Sequence, residues 1–444
     1  MGGNAAETRK PNFLVVFTDD QTFRAIGYNN PEIKTPNLDR LAAEGLILNK
    51  AYVASPICAA SRASIMTGLF PQQHGVIALN RGAFSPYLKG GSKADQTLAN
   101  RLAAAGYHCA FYGKSHIGDP RQYGFSEGVE SGPYNDVKTF ELAEQFLERA
   151  AKSSKPFFLW VAPHQPHVPL KPEQRWLDLY DHKQLKLDQN VREAPNNASI
   201  NNQGVPGEAY YRDSAYTRNW KNLSAGPPRN DETIRLFTKA YYATVSHLDD
   251  QIGRLVGRLR AQGLNDNTVF IFLSDNGYHL GNHGLGNKIT MHEESVRVPM
   301  FVRWPAHVKK GIKSDALVSS LDVYPTLLEL AGAAVPDDAM GKSLVPLLSN
   351  PASEIREVVF SECTGVGGKP GDGHRMARGK DWKYVLSDTN EQYLFDQSKD
   401  PFELKNLADE EGAELPKLQQ SLATWMQHVG DRKYPYPAGT TPRP

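Results

Sequence analysis

The chain has 444 residues, enough for a large buried core, and its composition is that of an ordinary globular protein. Lys plus Arg number 50 against 49 Asp plus Glu, a formal net charge of +1. That balance excludes a general electrostatic grip on nucleic acid, which needs a basic face, but not a local cationic pocket for a small anion. Cys58, Cys109 and Cys363 are too few for a disulfide framework. No apolar run approaches a membrane span, and Met1 to Thr8 lacks the apolar segment of a signal peptide.

Asn12 to Thr18 is a near-continuous apolar run, which predicts a buried strand ending in Asp19-Asp20. Thr35 to Gly45 reads as a helix closed by glycine, Leu46 to Val53 as a strand, and Ser61 to Thr67 as a helix beginning just after Cys58. A helix over Asp95 to Ala105 and a strand over Tyr107 to Tyr112 follow, then Gly113-Lys114-Ser115-His116. Phe140 to Ala151 is helical, and the strand Pro156 to Ala162 leads into Pro163-His164-Gln165-Pro166-His167. Residues 185 to 230 are polar and rich in Asn, Gly and Pro, the composition of a long surface insertion. Asp231 to Gln262 is a long helix, Thr268 to Ser274 a strand ending in Asp275-Asn276-Gly277, Val298 to Trp304 a strand, and Val323 to Ala331 a helix.

This alternation predicts an α/β fold, a large mostly parallel sheet sandwiched by helices, over residues 11–350. In such sheets ligands bind beyond the carboxyl ends of the strands. The pattern changes near residue 350. Short strands at 357–360, 374–377, 382–386 and 392–395, then a helix over Glu414 to Met426, predict a C-terminal α+β subdomain over 351–444, an antiparallel sheet plus helix.

The chemistry-bearing residues follow the predicted strands. Alone, an Asp pair at a strand end is more often a cap or solvated turn. Asp19, Asp20, Asp275 and Asn276 together supply oxygen donors suited to a hard cation, with none of the soft ligands of a closed zinc site. An isolated cysteine is by default buried packing, but Cys58 stands near a helix start, where anions are favoured, and Arg62 is one turn on. Lys114, His116, His164, His167 and Lys288 add cations and histidines, and such a cluster is costly unless an anion sits among them.

Cys58-Ala59-Ala60-Ser61-Arg62, continuing to Thr67-Gly68, resembles the signature of the type I, formylglycine-dependent sulfatases of the alkaline-phosphatase-like superfamily. Asp19-Asp20, Thr35 to Ala42, Gly113-Lys114-x-His116, Ser274 to Gly277 and Asp400 to Leu407 match in order over nearly the whole chain. His164 to Pro169 and Gly281 to Lys288 look closest to the iduronate-2-sulfatase-like branch. The resemblance implies oxidation of Cys58 to formylglycine by a sulfatase-maturating enzyme, and Ala60, where Pro is commoner, leaves the maturation route open. It implies Ca²⁺, with Mg²⁺ as the alternative, on Asp19, Asp20, Asp275, Asn276 and the modified Cys58. Arg62, Lys114, His116, His164 and Lys288 would bind sulfate and move protons, and His167, His279 and His283 would line the substrate pocket. The expected substrate is a sulfated carbohydrate, and the expected location is periplasmic or secreted. The rival readings are a phosphonate or phosphodiester hydrolase and a catalytically silent protein that binds sulfated glycans.

Overall fold

A computed structural model describes residues 9–77, 96–132, 135–191, 231–363, 373–410 and 412–432. Eight strands form the main sheet: β1 (Asn12–Thr18), β2 (Leu46–Tyr52), β3 (His108–Gly113), β4 (Glu127–Glu130), β5 (Phe157–Ala162), β6 (Thr268–Ser274), β9 (Phe301–Arg303) and β10 (Ile312–Ser319). Their spatial order is β10-β2-β9-β6-β1-β5-β3-β4. Each pairing is parallel except those of β9, which runs against both β2 and β6.

The strand sequences explain why helices cover both faces. Side chains alternate across a strand. Phe13, Val15 and Phe17 of β1 enter one apolar core with Val269, Ile271 and Leu273 of β6. Leu14 and Val16 enter the other core, with Phe270 and Phe272. Helices α1 (Pro36–Ala43), α4 (Asp136–Ala150) and α5 (Asp231–Ala261) cover the second core through residues such as Leu38, Phe146 and Leu255. Helices α2 (Cys58–Thr67), α3 (Leu98–Ala104) and α6 (Val323–Leu330) cover the first.

A second sheet is an antiparallel meander of β11 (Val359–Cys363), β12 (His374–Arg378), β13 (Trp382–Ser387) and β14 (Gln392–Asp396). Helix α7 (Glu414–Val429) packs on it through Leu418, Leu422, Trp425 and Met426. Both sheets agree with the expected fold class.

The differences lie at short or polar elements. The strand expected over 298–304 contracts to β9 and runs antiparallel. Strand β10 escapes the apolar signal because its first half is polar and partly exposed, as suits an edge. The small hairpin β7 (His279–Leu280) and β8 (Gly286–Asn287) lies inside what reads as a glycine-rich loop. Within the expected insertion, residues 192–230 lie outside the described residues. Among the described residues, no helix is long and apolar enough to cross a membrane.

Candidate active site

Parallel pairing delivers the chemistry-bearing residues to one edge. Thr18 pairs with Ser274, and Gly113 pairs with Ala162. Asp19-Asp20, Asp275-Asn276, Lys114 and His164 therefore leave the sheet at the carboxyl ends of adjacent strands, as expected for this architecture. Gly113 is required here. Its φ is +116°, and a Cβ would lie 2.0 Å from the Ala162 carbonyl oxygen. Only glycine allows β3 to turn against β5 and present Lys114.

Cys58 is the first residue of α2, with Ile57 as its extended N-cap, so the helix begins at the cysteine rather than after it. The helix dipole favours negative charge at this end. All ten residues of α2 are buried, which fixes Cys58 and Arg62 on a rigid element. Lys288 arrives from β8 and is flanked by two non-glycine residues in the left-handed region, Asn287 (φ 79°) and Ile289 (φ 73°). For β-branched Ile289 this is a strained conformation, held by surrounding structure. Asp20 (φ 65°) and His116 (φ 62°) share it, so left-handed backbone marks the site.

Arg62 is the hub. Its Nε and Nη2 lie 2.9 and 2.7 Å from Asp275 Oδ2, and its Nη1 donates to the Lys114 carbonyl at 2.6 Å. Asp275 Oδ1 accepts the Asp20 amide at 3.1 Å, and Asn276 Nδ2 donates to Asp20 Oδ1 at 2.7 Å. The Lys114 ammonium pairs with Asp19, and the Lys288 ammonium pairs with Asp20 while lying 2.7 Å from Cys58 Sγ. His167 Nε2 stands 3.6 Å from Asp20 Oδ2.

Burial and charge set the electrostatics. Burial alone would raise Asp19, but Lys114, then His167, Arg62 and Lys288, hold it well below the usual carboxylate range. Asp275 moves the other way, to about 7, because burial and neighbouring Asp19 outweigh Arg62. Burial pushes the Cys58 thiol far up despite Lys288 and Lys114, so the unmodified residue is a thiol rather than a thiolate. Burial, then the Lys114 charge, lowers His116 to about 2.

The donor set fits a hard divalent cation. Asp19 Oδ1, Asp20 Oδ2 and Asn276 Oδ1 are buried oxygens with no hydrogen-bond partner. An oxygen so placed is costly unless a cation or donor meets it. Donor atoms of Asp19, Asp20, Cys58 and His167 all lie within 4.8 Å of one another. Oxygen donors dominate, as Ca²⁺ or Mg²⁺ requires.

The structure thus brings together Asp19, Asp20, Cys58, Arg62, Lys114, Asp275, Asn276 and Lys288, with His116, His164 and His167 around them. His279 and His283, expected at the substrate pocket, are both buried. His279 has no exposed surface, meets Thr290 Oγ1 at 2.8 Å, and its ring contacts those of His283 and His292. His283 stacks on His292 at 3.7 Å and lies against Asn190 and Glu294. Both brace the Lys288 loop from behind.

Sequence reading missed three supports. Asp136, at the start of α4, accepts the His164 and Gln165 amides at 2.8 and 2.9 Å. The Tyr241 hydroxyl, from α5, donates to the Asp20 carbonyl and accepts the Thr22 amide at 3.1 Å. Glu403 accepts from His292 Nδ1 at 2.8 Å and the Glu293 amide at 3.2 Å, and pairs with Lys383 of β13, tying the second sheet to the Lys288 loop. Asp136 had one local signal, an acid in a helical first turn. The other two are contacts between distant segments.

This cluster of cations and carboxylates, at the carboxyl edge of an α/β sheet, is the arrangement of a hydrolase site rather than of a packed core. The Sulfatase family profile matches residues 11–333, and that of the N-sulphoglucosamine sulphohydrolase C-terminal region matches 281–431. The chain belongs to the sulfatase family and is a sulfuric ester hydrolase. Sulfatases of this family generally use formylglycine and a divalent metal, and Cys58 with its acidic neighbours fits that use. The chain is 28% identical over 494 residues to an N-acetylglucosamine-6-O-sulfatase of Bacteroides thetaiotaomicron, covering 95% of this chain and 87% of the relative. A solved structure in complex with its substrate D-glucosamine-2-N,6-O-disulfate is similar at a TM-score of 0.82 and 25% identity, covering 95% of this chain and 99% of that one. A phosphonate monoester hydrolase from Silicibacter pomeroyi shares the fold at a TM-score of 0.77 and 21% identity, over 95% and 96% of the two chains.

Proposed function

We propose that this enzyme hydrolyses a sulfate ester on a sulfated carbohydrate, using a formylglycine made from Cys58 by a maturating enzyme and a Ca²⁺ ion held by Asp19, Asp20, Asp275 and Asn276. The observation that carries the reading is the convergence of Cys58, at a helix N-terminus, with three buried carboxyl and amide oxygens that accept no hydrogen bond and with the ammonium of Lys288. Sulfated-sugar substrates are supported by the relative that acts on N-acetylglucosamine 6-O-sulfate and by the similar structure bound to a sulfated glucosamine. When bound, the cation and the aldehyde hydrate supply an acidified oxygen nucleophile with an internal route for releasing sulfate.

The chain's own residues do the rest. Arg62, Lys114 and Lys288 hold the sulfate oxygens and offset the charge that develops on them, inside a water-poor site. Lys114 and Lys288 carry their protons throughout, since Asp19 and Asp20 respectively outweigh the burial that would lower them. Asp136 stands 3.6 Å from His164 Nδ1, which leaves Nε2 to pass a proton to the departing alcohol. His116, which follows Lys114 in the same loop, is the residue assigned to accept the proton of the nucleophile's second hydroxyl as sulfate leaves.

The test is sulfate release from N-acetylglucosamine 6-sulfate, galactose 6-sulfate and 4-nitrophenyl sulfate, alongside bis(4-nitrophenyl) phosphate. The mass of the Cys58 peptide is measured on the same preparation. Sulfate turnover lost in Cys58→Ala, and lost with chelator but restored better by Ca²⁺ than Mg²⁺, supports the reading. Full activity in Cys58→Ala, or faster turnover of the phosphate diester, rejects it.

A further inference from the structure

Asp20 carries a donor carboxylate on a strained backbone. Its φ of 65° lies in the left-handed region, uncommon for a residue other than glycine. Such a conformation persists only where its surroundings over-determine it. Three side chains do so, each on a different part of the turn. Asp275 Oδ1 accepts the Asp20 amide at 3.1 Å, and Ser274 Oγ accepts the Gln21 amide at 2.9 Å. The Tyr241 hydroxyl takes two more groups: it donates to the Asp20 carbonyl and accepts the Thr22 amide at 3.1 Å. Asp275 and Ser274 belong to the neighbouring strand and its end, whereas Tyr241 reaches the turn from α5, a helix of 31 residues.

The same side chain reaches the other pair of ligands. The Tyr241 ring stacks on Tyr278, with centroids 5.9 Å apart and planes 25° apart, and Tyr278 stacks in turn on Phe237. Tyr278 directly follows Asp275-Asn276-Gly277. Tyr241 has no exposed surface, so both contacts are fixed by packing. Its hydroxyl therefore holds the chain after β1, and its face holds the chain after β6. Those two segments supply Asp19, Asp20, Asp275 and Asn276. Because Tyr241 meets backbone and an aromatic ring, it acts through the ligands rather than on the substrate.

We infer that Tyr241 is a positioning residue for the cation, holding the Asp20 turn and the Asp275-Asn276 segment at the spacing that binds a hard divalent ion. The inference rests on the cation site proposed above and extends it from the ligands to the helix behind them. Partners that orient metal ligands change metal affinity by about 10–100-fold when removed. Tyr241→Phe deletes the hydroxyl and keeps the ring that stacks on Tyr278. The Asp20 carbonyl and the Thr22 amide then lose their bridge.

The test is calorimetric titration of Ca²⁺ into chelator-treated, formylglycine-bearing enzyme, for wild type, Tyr241→Phe and Tyr242→Phe. Tyr242 is the matched control: it is the next residue of α5 and is also buried, but its hydroxyl accepts from Asn30 Nδ2 at 2.8 Å. The expected result is a Ca²⁺ Kd raised by at least about tenfold in Tyr241→Phe and unchanged in Tyr242→Phe. Sulfate release by Tyr241→Phe should fall at limiting Ca²⁺ and recover toward wild type at saturating Ca²⁺. At a temperature where both variants are fully folded, a purely structural role would give no such rescue. An unchanged Kd in Tyr241→Phe, or an equal rise in both variants, overturns the inference alone. Wild-type enzyme that binds no divalent cation overturns the proposed cation site and the inference with it.

Discussion

Replacing Lys383 with Met would test whether the second sheet holds the active-site loop in place. Lys383 is fully buried; its ammonium donates to the Met291 carbonyl at 2.8 Å and forms ion pairs with Glu293, at 2.9 Å, and with Glu403. Met keeps most of the stem and removes the charge. Breaking a buried pair by deleting one partner costs about 3–5 kcal/mol, because the other charge stays uncompensated. The pKa of Glu293 moves in the direction this requires. Burial would raise it, but Lys383, Arg378 and Arg297 draw it from 4.5 to about 2. Glu403 limits the loss. Burial lifts it to about 7 against the pull of Lys383, so without the lysine it takes up a proton at neutral pH. The expected destabilisation is about 3 kcal/mol at pH 7.5, read from urea unfolding. Because the folded pKa of Glu293 lies below its unfolded value, the stabilisation is present above pH 4.5 and is lost as pH falls toward 2. The gap between variant and wild type should narrow over that window. A loss below about 1 kcal/mol at pH 7.5, or a gap that widens on acidification, would refute the reasoning.

Three further outcomes follow from the geometry. Arg62→Ala should lower kcat/KM for an aryl sulfate by at least about 10²–10³, because it removes both a sulfate contact and the partner of buried Asp275; an unchanged rate with confirmed formylglycine would contradict it. Asp136→Ala frees the His164 and Gln165 amides and should lower kcat by roughly 10–100-fold with a changed pH profile, whereas a change in stability alone would mark it as structural. Gly113→Ala should destabilise the protein by about 1–3 kcal/mol or more in a thermal melt, since the new Cβ meets the Ala162 carbonyl oxygen at 2.0 Å; an unchanged melting temperature would show that β3 can relax.

What the sequence made legible follows from where its signals are local. An apolar run ending in two carboxylates predicts a buried strand and a site at its end, and β1 and β6 have those bounds and deliver Asp19-Asp20 and Asp275-Asn276 side by side. Cys58 and Arg62 needed only the helix that α2 provides. Direction within a sheet is not local, so β9 could not be read as antiparallel from three residues. Nor is the facing of a loop side chain. His167 and His283 both sit among turn residues, yet one stands by Asp20 and the other is stacked against His292.

Glu403 carries that distinction furthest. It lies in the Asp400 to Leu407 string, which matched a family pattern without any stated task. Its carboxylate is buried, takes donors from His292, Glu293 and Lys383, and sits on a left-handed backbone (φ 55°). His292 in turn stacks on His283, whose neighbours Gly284 to Asn287 lead to Lys288. A buried acid in the C-terminal region therefore reaches the Lys288 ammonium through two stacked imidazoles and one short hairpin. The second sheet is thus a buttress for the Lys288 loop as well as a separate layer of the fold. If that is correct, Glu403→Gln, which retains the acceptor from His292 but loses the charge facing Lys383, should leave more activity than Glu403→Ala at equal occupancy of the folded state. Equal activities for the two variants would confine Glu403 to stability.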